Sequence, residues 1–259
     1  MEFLKIVRRR SFLSEVVYVA MNIALAVLLL VVIMITGSPI PAFLLVLLSK
    51  WRIIAVRPRY WFVNLQANMV DLIVGLSVVV LLAETNHADI DSSQKLIFLV
   101  LLTTLYAGWL LLLKPRSKRS YVIAQSDIAL FVGVTALYTV SYAWSVSLVV
   151  LIMWLIGYST SRHILVHYDE PHIFFMSQLW GLALAELAWI AYHSTIVYGF
   201  LPQISIVALC IGFLIHRSYD SYFHHQRVRI NDIILPLLFA VSIVTVLMLF
   251  FNHISNGTV

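Results

Sequence analysis

Glu186 is the residue whose setting in the sequence most strongly suggests chemistry. It lies in a long apolar run and has no basic residue near it. A carboxylate in such surroundings either takes up a proton or requires a partner, because desolvation disfavours its charged form. On a helix, Gln178 and His193 fall on the same side as Glu186. This polar edge predicts either a solvated, proton-coupled binding site or a buried structural hydrogen bond.

Small residues accompany that polar edge. Ser177, Gly181 and Ala185 recur every four residues beside it, a stripe that is typical of closely packed membrane helices. We therefore expect this helix to be buried in a bundle, with Glu186 turned toward a partner helix or a cavity.

Asp71 and Asp127 are two further carboxylates that lie inside apolar segments. If the helix of Asp71 begins seven residues earlier, this carboxylate lies about 10 Å along the helix axis from its start. If the helix of Asp127 begins six residues earlier, the corresponding distance is about 9 Å. Lys50 and Arg52, at the end of a neighbouring segment, are natural partners for them. The pattern predicts an ion-pair cluster that locks helices together; a cation or proton relay is the functional alternative.

Histidines suggest a metal site as another chemistry. His163 and His167 have the four-residue spacing that places two imidazoles on one helical face, and histidine is a common transition-metal ligand. The candidate ligands on this side of the chain are His163, His167, His172, His224 and His225. The pattern resembles the histidine boxes of membrane di-iron desaturases and hydroxylases but lacks their HxxHH spacing, so interfacial histidines near lipid headgroups are the alternative. We predict no cofactor.

Apolar runs long enough to cross a membrane must position all of these residues. Stretches 16–49 and 128–161 each contain 34 residues without Asp, Glu, Lys or Arg, and turn residues break each near its middle. About 20 apolar residues cross the ~30 Å hydrocarbon layer as a helix, so each stretch predicts an outgoing and a returning span. The apolar runs predict nine spans: 14–36, 39–56, 64–83, 96–113, 121–141, 146–165, 172–193, 202–219 and 230–252.

The predicted fold class is therefore an all-α, polytopic transmembrane helix bundle. The composition agrees, with 62% hydrophobic residues, 11% charged residues and a mean hydropathy of +0.96. Residues 1–13 are expected to form a basic cytosolic segment, 14–252 a single helical domain and 253–259 a short outer tail. The second span has only 11 uncharged positions, 39–49, and the count falls to eight if it re-enters the membrane.

The basic residues predict the orientation. Sixteen of the 17 fall on one side of this topology, and only Lys95 falls on the other. The positive-inside rule then places the amino terminus in the cytosol and the carboxyl terminus outside. The net charge of +5 is explained by contact with anionic lipids of the inner leaflet, so we expect the lipid bilayer and not nucleic acid as the partner.

Several short segments carry a resemblance to known sequences. They are YDEPH at 168–172, WG at 180–181, AE at 185–186, RPRYW at 57–61 and LPLLF at 235–239. The chain resembles a set of uncharacterised multi-pass membrane proteins from reduced-genome bacteria over most of its length. The resemblance implies a bacterial cytoplasmic (inner) membrane and implies no activity.

Three classes of function follow from these observations. A small-solute or ion/proton-coupled transporter would place Glu186, Gln178 and His193 in a cavity, with Asp71 and Asp127 completing a path inward. In a non-catalytic subunit or scaffold, neighbouring helices would form hydrogen bonds with those polar groups, and the outer surface would bind a membrane protein partner or a second copy. A membrane-embedded enzyme would bring the histidines together around a metal. We favour the transporter and consider an enzyme the less expected reading.

Overall fold

The chain folds as a bundle of nine α-helices within the residues that the structure, a computed structural model, describes: 12–53, 55–192, 197–198 and 201–250. The helices are α1 (Phe12–Thr36), α2 (Pro39–Ser49), α3 (Trp61–His87), α4 (Ser92–Gly108), α5 (Arg119–Val140), α6 (Val146–His167), α7 (Ile173–Ala191), α8 (Gln203–His225) and α9 (Ile230–Phe250). A π-helical turn, Trp109–Leu113, extends α4, and 3-10 turns cover Trp51–Ile53, Pro58–Tyr60 and Ser141–Ala143. Strands β1 (Val197–Tyr198) and β2 (Leu201–Pro202) form one short antiparallel pair, with Val197 opposite Pro202. The predicted all-α fold class is confirmed.

The outer surface of the bundle is apolar, as a lipid environment requires. Eight helices in the described ranges are long and apolar enough to cross a membrane. Large side chains such as Ile35, Leu235 and Ile230 are exposed. A protein in water rarely presents so much continuous apolar surface. The chain is therefore an integral membrane protein.

The second predicted span differs from the expectation. It was predicted over 39–56, but α2 ends at Ser49 and has 11 residues, or about 16 Å, which is short of the hydrocarbon thickness. Lys50 at its C-cap pairs with Asp71 of α3, and this contact fixes the end of α2 before the predicted boundary. Lys114, at the end of α4, reaches the same carboxylate. The carboxyl ends of α2 and α4 thus meet at one level beside α3.

Two apolar cores hold the helices together. The first joins α1 to α4 around Leu29, Val46, Val79 and Leu110, all of which are fully buried. The second joins α5 to α8 around Val134, Met153, Leu184 and Ala208. The second core is the scaffold on which the candidate site lies.

Helices α6 and α7 approach each other closely through small residues. A Cβ atom on Gly157 would lie 3.2 Å from the Gly181 Cα, and one on Gly181 would lie 3.0 Å from the Trp154 carbonyl oxygen. Ser177 and Ala185 are buried on the same face of α7. The small-residue stripe predicted on this helix is the surface that packs on α6.

The ends of the chain lie outside the described residues. The expected cytosolic segment 1–13 falls almost wholly there, as does the expected outer tail 253–259. These two domain boundaries stay predictions.

Candidate functional site

A cavity of about 130 Å³ lies between α5, α6, α7 and α8. Its wall combines an acidic group, an imidazole, hydroxyls and apolar side chains, namely Ser126, Asp127, Leu130, Thr160, Ser161, Ile164, Leu165, Met176, Trp180, Gly212, Ile215, His216 and Tyr219. At ~30 Å³ of liquid volume per molecule, the space equals about four waters. It is large enough for a small solute.

Asp127 supplies the acidic group of this cavity. It lies eight residues after Arg119, the first residue of α5, and so about 12 Å along the helix. Its side chain is half-buried and has no hydrogen bond or ion pair to any residue in the described part of the chain. The predicted partner Lys50 pairs with Asp71 instead, and the side chain of the other predicted partner, Arg52, lies outside the description. The expectation that Asp127 shares the Lys50 ion-pair cluster is wrong.

His216 supplies the imidazole from α8. The residue is 7% exposed, and its Nδ1 is buried without a hydrogen-bond partner among the described residues. One turn earlier, Gly212 permits α8 to approach α5, because a Cβ there would lie 2.9 Å from the Leu130 Cδ2. A buried imidazole nitrogen without a partner forfeits the hydrogen bonds that it would make in water. The histidines predicted as metal ligands do not include His216; the signal for it in the sequence is the four-residue spacing of Gly212, His216 and Asp220 on one face of α8.

The serine and threonine hydroxyls of the cavity wall donate hydrogen bonds to backbone carbonyl oxygens of the helices. Ser126 Oγ donates to the Thr160 carbonyl oxygen at 2.8 Å, which also ties α5 to α6. Thr160 Oγ1 donates to the Ile156 carbonyl oxygen at 2.9 Å, and Ser161 Oγ donates to the Tyr158 carbonyl oxygen at 3.1 Å. Their oxygens therefore keep acceptor lone pairs for a ligand.

A polar cluster borders the cavity on the side of Arg119. Arg119 of α5 pairs with Asp220 of α8, and its Cζ lies 4.1 Å from the ring centroid of Tyr168 in the α6–α7 loop. Tyr168 Oη donates to Asp220 Oδ1 at 3.2 Å. Burial raises the pKa of Tyr168, so its phenol keeps the proton that it donates. We call Arg119, Tyr168 and Asp220 the closing cluster.

The closing cluster is continuous with the cavity wall. The rings of Tyr168 and His216 have centroids 6.2 Å apart. Tyr219, which lines the cavity, donates its hydroxyl to a Glu170 carboxylate oxygen in the α6–α7 loop. A movement of α8 away from α5 would therefore break the cluster at this end of the cavity.

Asp71 has a different environment from Asp127. It accepts from Lys50, from Lys114 Nζ at 2.9 Å and from Trp109 Nε1 at 3.2 Å. Burial lowers the pKa of Lys114, and the negative charge of Asp71 raises it. The net effect is a raised pKa, so this lysine stays charged. Asp71 thus joins α2, α3 and the end of α4, and it does not line the cavity.

Glu186 and its predicted neighbours do not form a common site in the described residues. The Glu186 side chain is exposed on the outer face of α7, so the expectation that it faces into the bundle is wrong. The reason is that the small-residue stripe of Ser177, Gly181 and Ala185 lies on the side of α7 that packs on α6, which leaves Glu186 on the outer side. Gln178 is half-buried, and its Oε1 accepts from Trp154 Nε1 at 3.1 Å. His193 lies outside the described residues.

The five histidines proposed as metal ligands have separate surroundings where the structure describes them. His163 Nε2 lies 2.9 Å from Gln125 Oε1, His224 Nδ1 lies 2.9 Å from the Asp220 carbonyl oxygen, and His225 Nε2 lies 3.6 Å from Asp232 Oδ2. No group of three His, Cys, Asp or Glu residues within the described ranges could hold a metal ion. The histidine metal site, which also included His167 and His172, thus gains no support.

No family model, no curated protein and no solved structure matches this chain. Its function must therefore be argued from its own residues.

Proposed function

We propose that this protein is a small-solute transporter, proton-coupled through Asp127, and that the cavity between α5 and α8 is its substrate site. The single observation that carries the proposal is that the side chains of Asp127 and His216 line one cavity, while neither Asp127 nor the buried His216 Nδ1 has a hydrogen-bond partner among the described residues. Ionisable groups inside a membrane are expensive and usually serve a pathway.

The contrast between Asp71 and Asp127 supports this assignment. Asp71 is surrounded by two lysines and an indole N–H, so a structural role accounts for it. Asp127 has no such partners in the described part of the chain, and an unpaired carboxylate at this depth contributes desolvation cost and no compensating contact. A ligand or a proton that occupies the cavity would supply the missing compensation.

The same packing suggests how access would alternate. At one end the closing cluster joins α5 to α8, and at the other end the second apolar core, with Val134, Leu184 and Ala208, seals the four helices. Opening the polar end requires the half-buried Arg119–Asp220 ion pair and the contacts of the buried Tyr168 to break. A transporter needs one such seal to open while the other stays closed. We place the closing cluster on the cytosolic side of a bacterial inner membrane, because the basic residues cluster at this end.

Solute flux into proteoliposomes tests the proposal. The full chain would be reconstituted with a trapped pH indicator, and n-butylamine, butyrate and glycerol would be supplied in turn as cationic, anionic and neutral probes. We expect one class to give saturable, protein-dependent flux that Asp127→Asn abolishes. Glu186→Gln is the matched control, since it makes the same change outside the cavity and should leave the flux unchanged. Flux of none of the three probes, or flux that Asp127→Asn does not alter, would overturn the proposal.

A non-catalytic membrane subunit is the second candidate function, and Glu186 is the observation that favours it. Its carboxyl group lies on the outer face of α7, between the exposed Leu182 and Trp189, about 20 Å from the start of the helix. A membrane protein partner with a hydrogen-bonding group at this depth would cover it. Cysteine cross-linking at Ala183 in native membranes tests this candidate, and a monomeric product only would remove it.

A further inference from the structure

The chemistry of the cavity wall goes beyond transport in general and points to one class of ligand. Asp127 is an acceptor when ionised, and the hydroxyl oxygens of Ser126, Thr160 and Ser161 also offer lone pairs, because their protons are donated to backbone carbonyls. The His216 imidazole lines the same cavity, and its buried Nδ1 has no hydrogen-bond partner among the described residues. The wall therefore suits a ligand that carries N–H donors.

The charge balance of the cavity favours a cationic ligand when Asp127 is ionised. Asp127 has no basic partner among the residues that the structure describes, and Arg119, a cation of the adjoining cluster, is already paired with Asp220. A buried carboxylate is stabilised by an opposite charge that also forms hydrogen bonds with it. An anionic ligand would add a second negative charge to a site that lacks a compensating one.

The rest of the wall sets the size and polarity of the ligand. Leu130, Ile164, Met176 and Ile215 supply aliphatic or thioether surface, and the Trp180 ring adds an aromatic surface. The volume of about 130 Å³ suits a small ligand. A short alkyl chain would fill the apolar part, and an aromatic ring beside an ammonium group adds a favourable cation–π contact.

We infer that the cavity binds a small primary aliphatic amine in its ammonium form, with Asp127 pairing the ammonium group and the His216 imidazole as a second acceptor in the same cavity. This inference rests on the proposed function for the location of the site and adds the class of its substrate. A hydrated metal cation would find too few oxygen ligands here, since the wall is mostly apolar.

Direct binding to the purified full chain tests the inference. Isothermal titration at pH 7 would compare n-butylamine with 1-butanol, which has the same butyl chain and no charge, and with butyrate, an anion that also has four carbons. We expect saturable binding of n-butylamine only. Asp127→Asn should weaken it at least about tenfold, the loss expected for a charge-assisted hydrogen bond. His216→Phe should weaken it several-fold, and Asp127→Glu should retain part of it.

Glu186→Gln serves as the control, because it removes an intramembrane carboxylate that does not line the cavity. Equal binding of 1-butanol, binding of butyrate, no binding of n-butylamine, or binding that Asp127→Asn leaves intact would overturn the inference. Asp127-dependent flux of butyrate or glycerol would then still uphold the transporter, so the two proposals can fail separately.

Discussion

Replacing Asp71 and Asp127 in turn by Asn should give opposite effects on stability. Both changes remove one carboxylate charge with almost no change in shape, and both sites lie inside the bundle. Asp71→Asn leaves Lys50 without its counter-charge, and the Lys50 side chain is only 8% exposed. Asp127→Asn removes a charge that has no partner in the described residues.

The magnitude follows from the burial of the partners. Breaking a buried ion pair by removing one member costs about 3–5 kcal/mol, because the other charge stays buried. Lys114 is 33% exposed on its side chain and can turn toward water, so Lys50 accounts for most of the loss. We expect Asp71→Asn to lower the free energy of unfolding by about 3 kcal/mol, at the lower end of that range. Asp127→Asn should leave it unchanged or raise it.

Equilibrium unfolding of the full chain in mixed SDS micelles, followed by circular dichroism, measures both values. Combining Asp71→Asn with Lys50→Met should recover most of the lost stability, because it removes the unpaired lysine. If Asp71→Asn unfolds at the same denaturant fraction as the wild type, or if Asp127→Asn is the more damaging change, the two roles assigned to these carboxylates are wrong.

Two further predictions concern packing and closure. Gly181→Ala should lower the free energy of unfolding by about 1–3 kcal/mol, because its Cβ would lie 3.0 Å from the Trp154 carbonyl oxygen. Gly108→Ala is the control in the same SDS titration. Its Cβ would meet nothing within 4 Å, so this change should be neutral or stabilising. Equal effects of the two alanines would contradict the close α6–α7 contact. Tyr168→Phe removes the 3.2 Å hydrogen bond to Asp220 and should destabilise the closed state of the cavity by about 1 kcal/mol. We expect faster labelling of a cysteine in the cavity wall. An unchanged labelling rate would show that Tyr168 does not stabilise the closed state.

The helices were predictable because each apolar run carries its own signal. Long apolar runs set the starts of α1 and α5 to α9 within two residues, since lipid requires every backbone polar group to be satisfied inside a helix. The small-residue stripe of α7 was readable for the same local reason. The second span was not, because the end of α2 depends on the contact between Lys50 and Asp71, which are 21 positions apart.

The candidate site was only partly predictable. Asp127 stood out as a carboxylate inside an apolar segment, but its lack of a partner depends on which helices surround α5. Glu186 gave an equally strong signal and lies on the outer face, because a helical pattern defines faces but not the direction in which each face points. His216 was one histidine among nine, and only the packing of α8 on α5 distinguishes it.

The central claim, that the cavity is a transport site that opens alternately to both sides of the membrane, is tested most directly by labelling one cysteine in its wall. Ser161→Cys, in a Cys210→Ala background, would be exposed to a membrane-impermeant maleimide from each side of oriented vesicles, with the buried Thr135→Cys as the control. We expect Ser161→Cys to react from both sides and Thr135→Cys from neither. Reaction of Ser161→Cys from one side only, or from neither, would contradict the account.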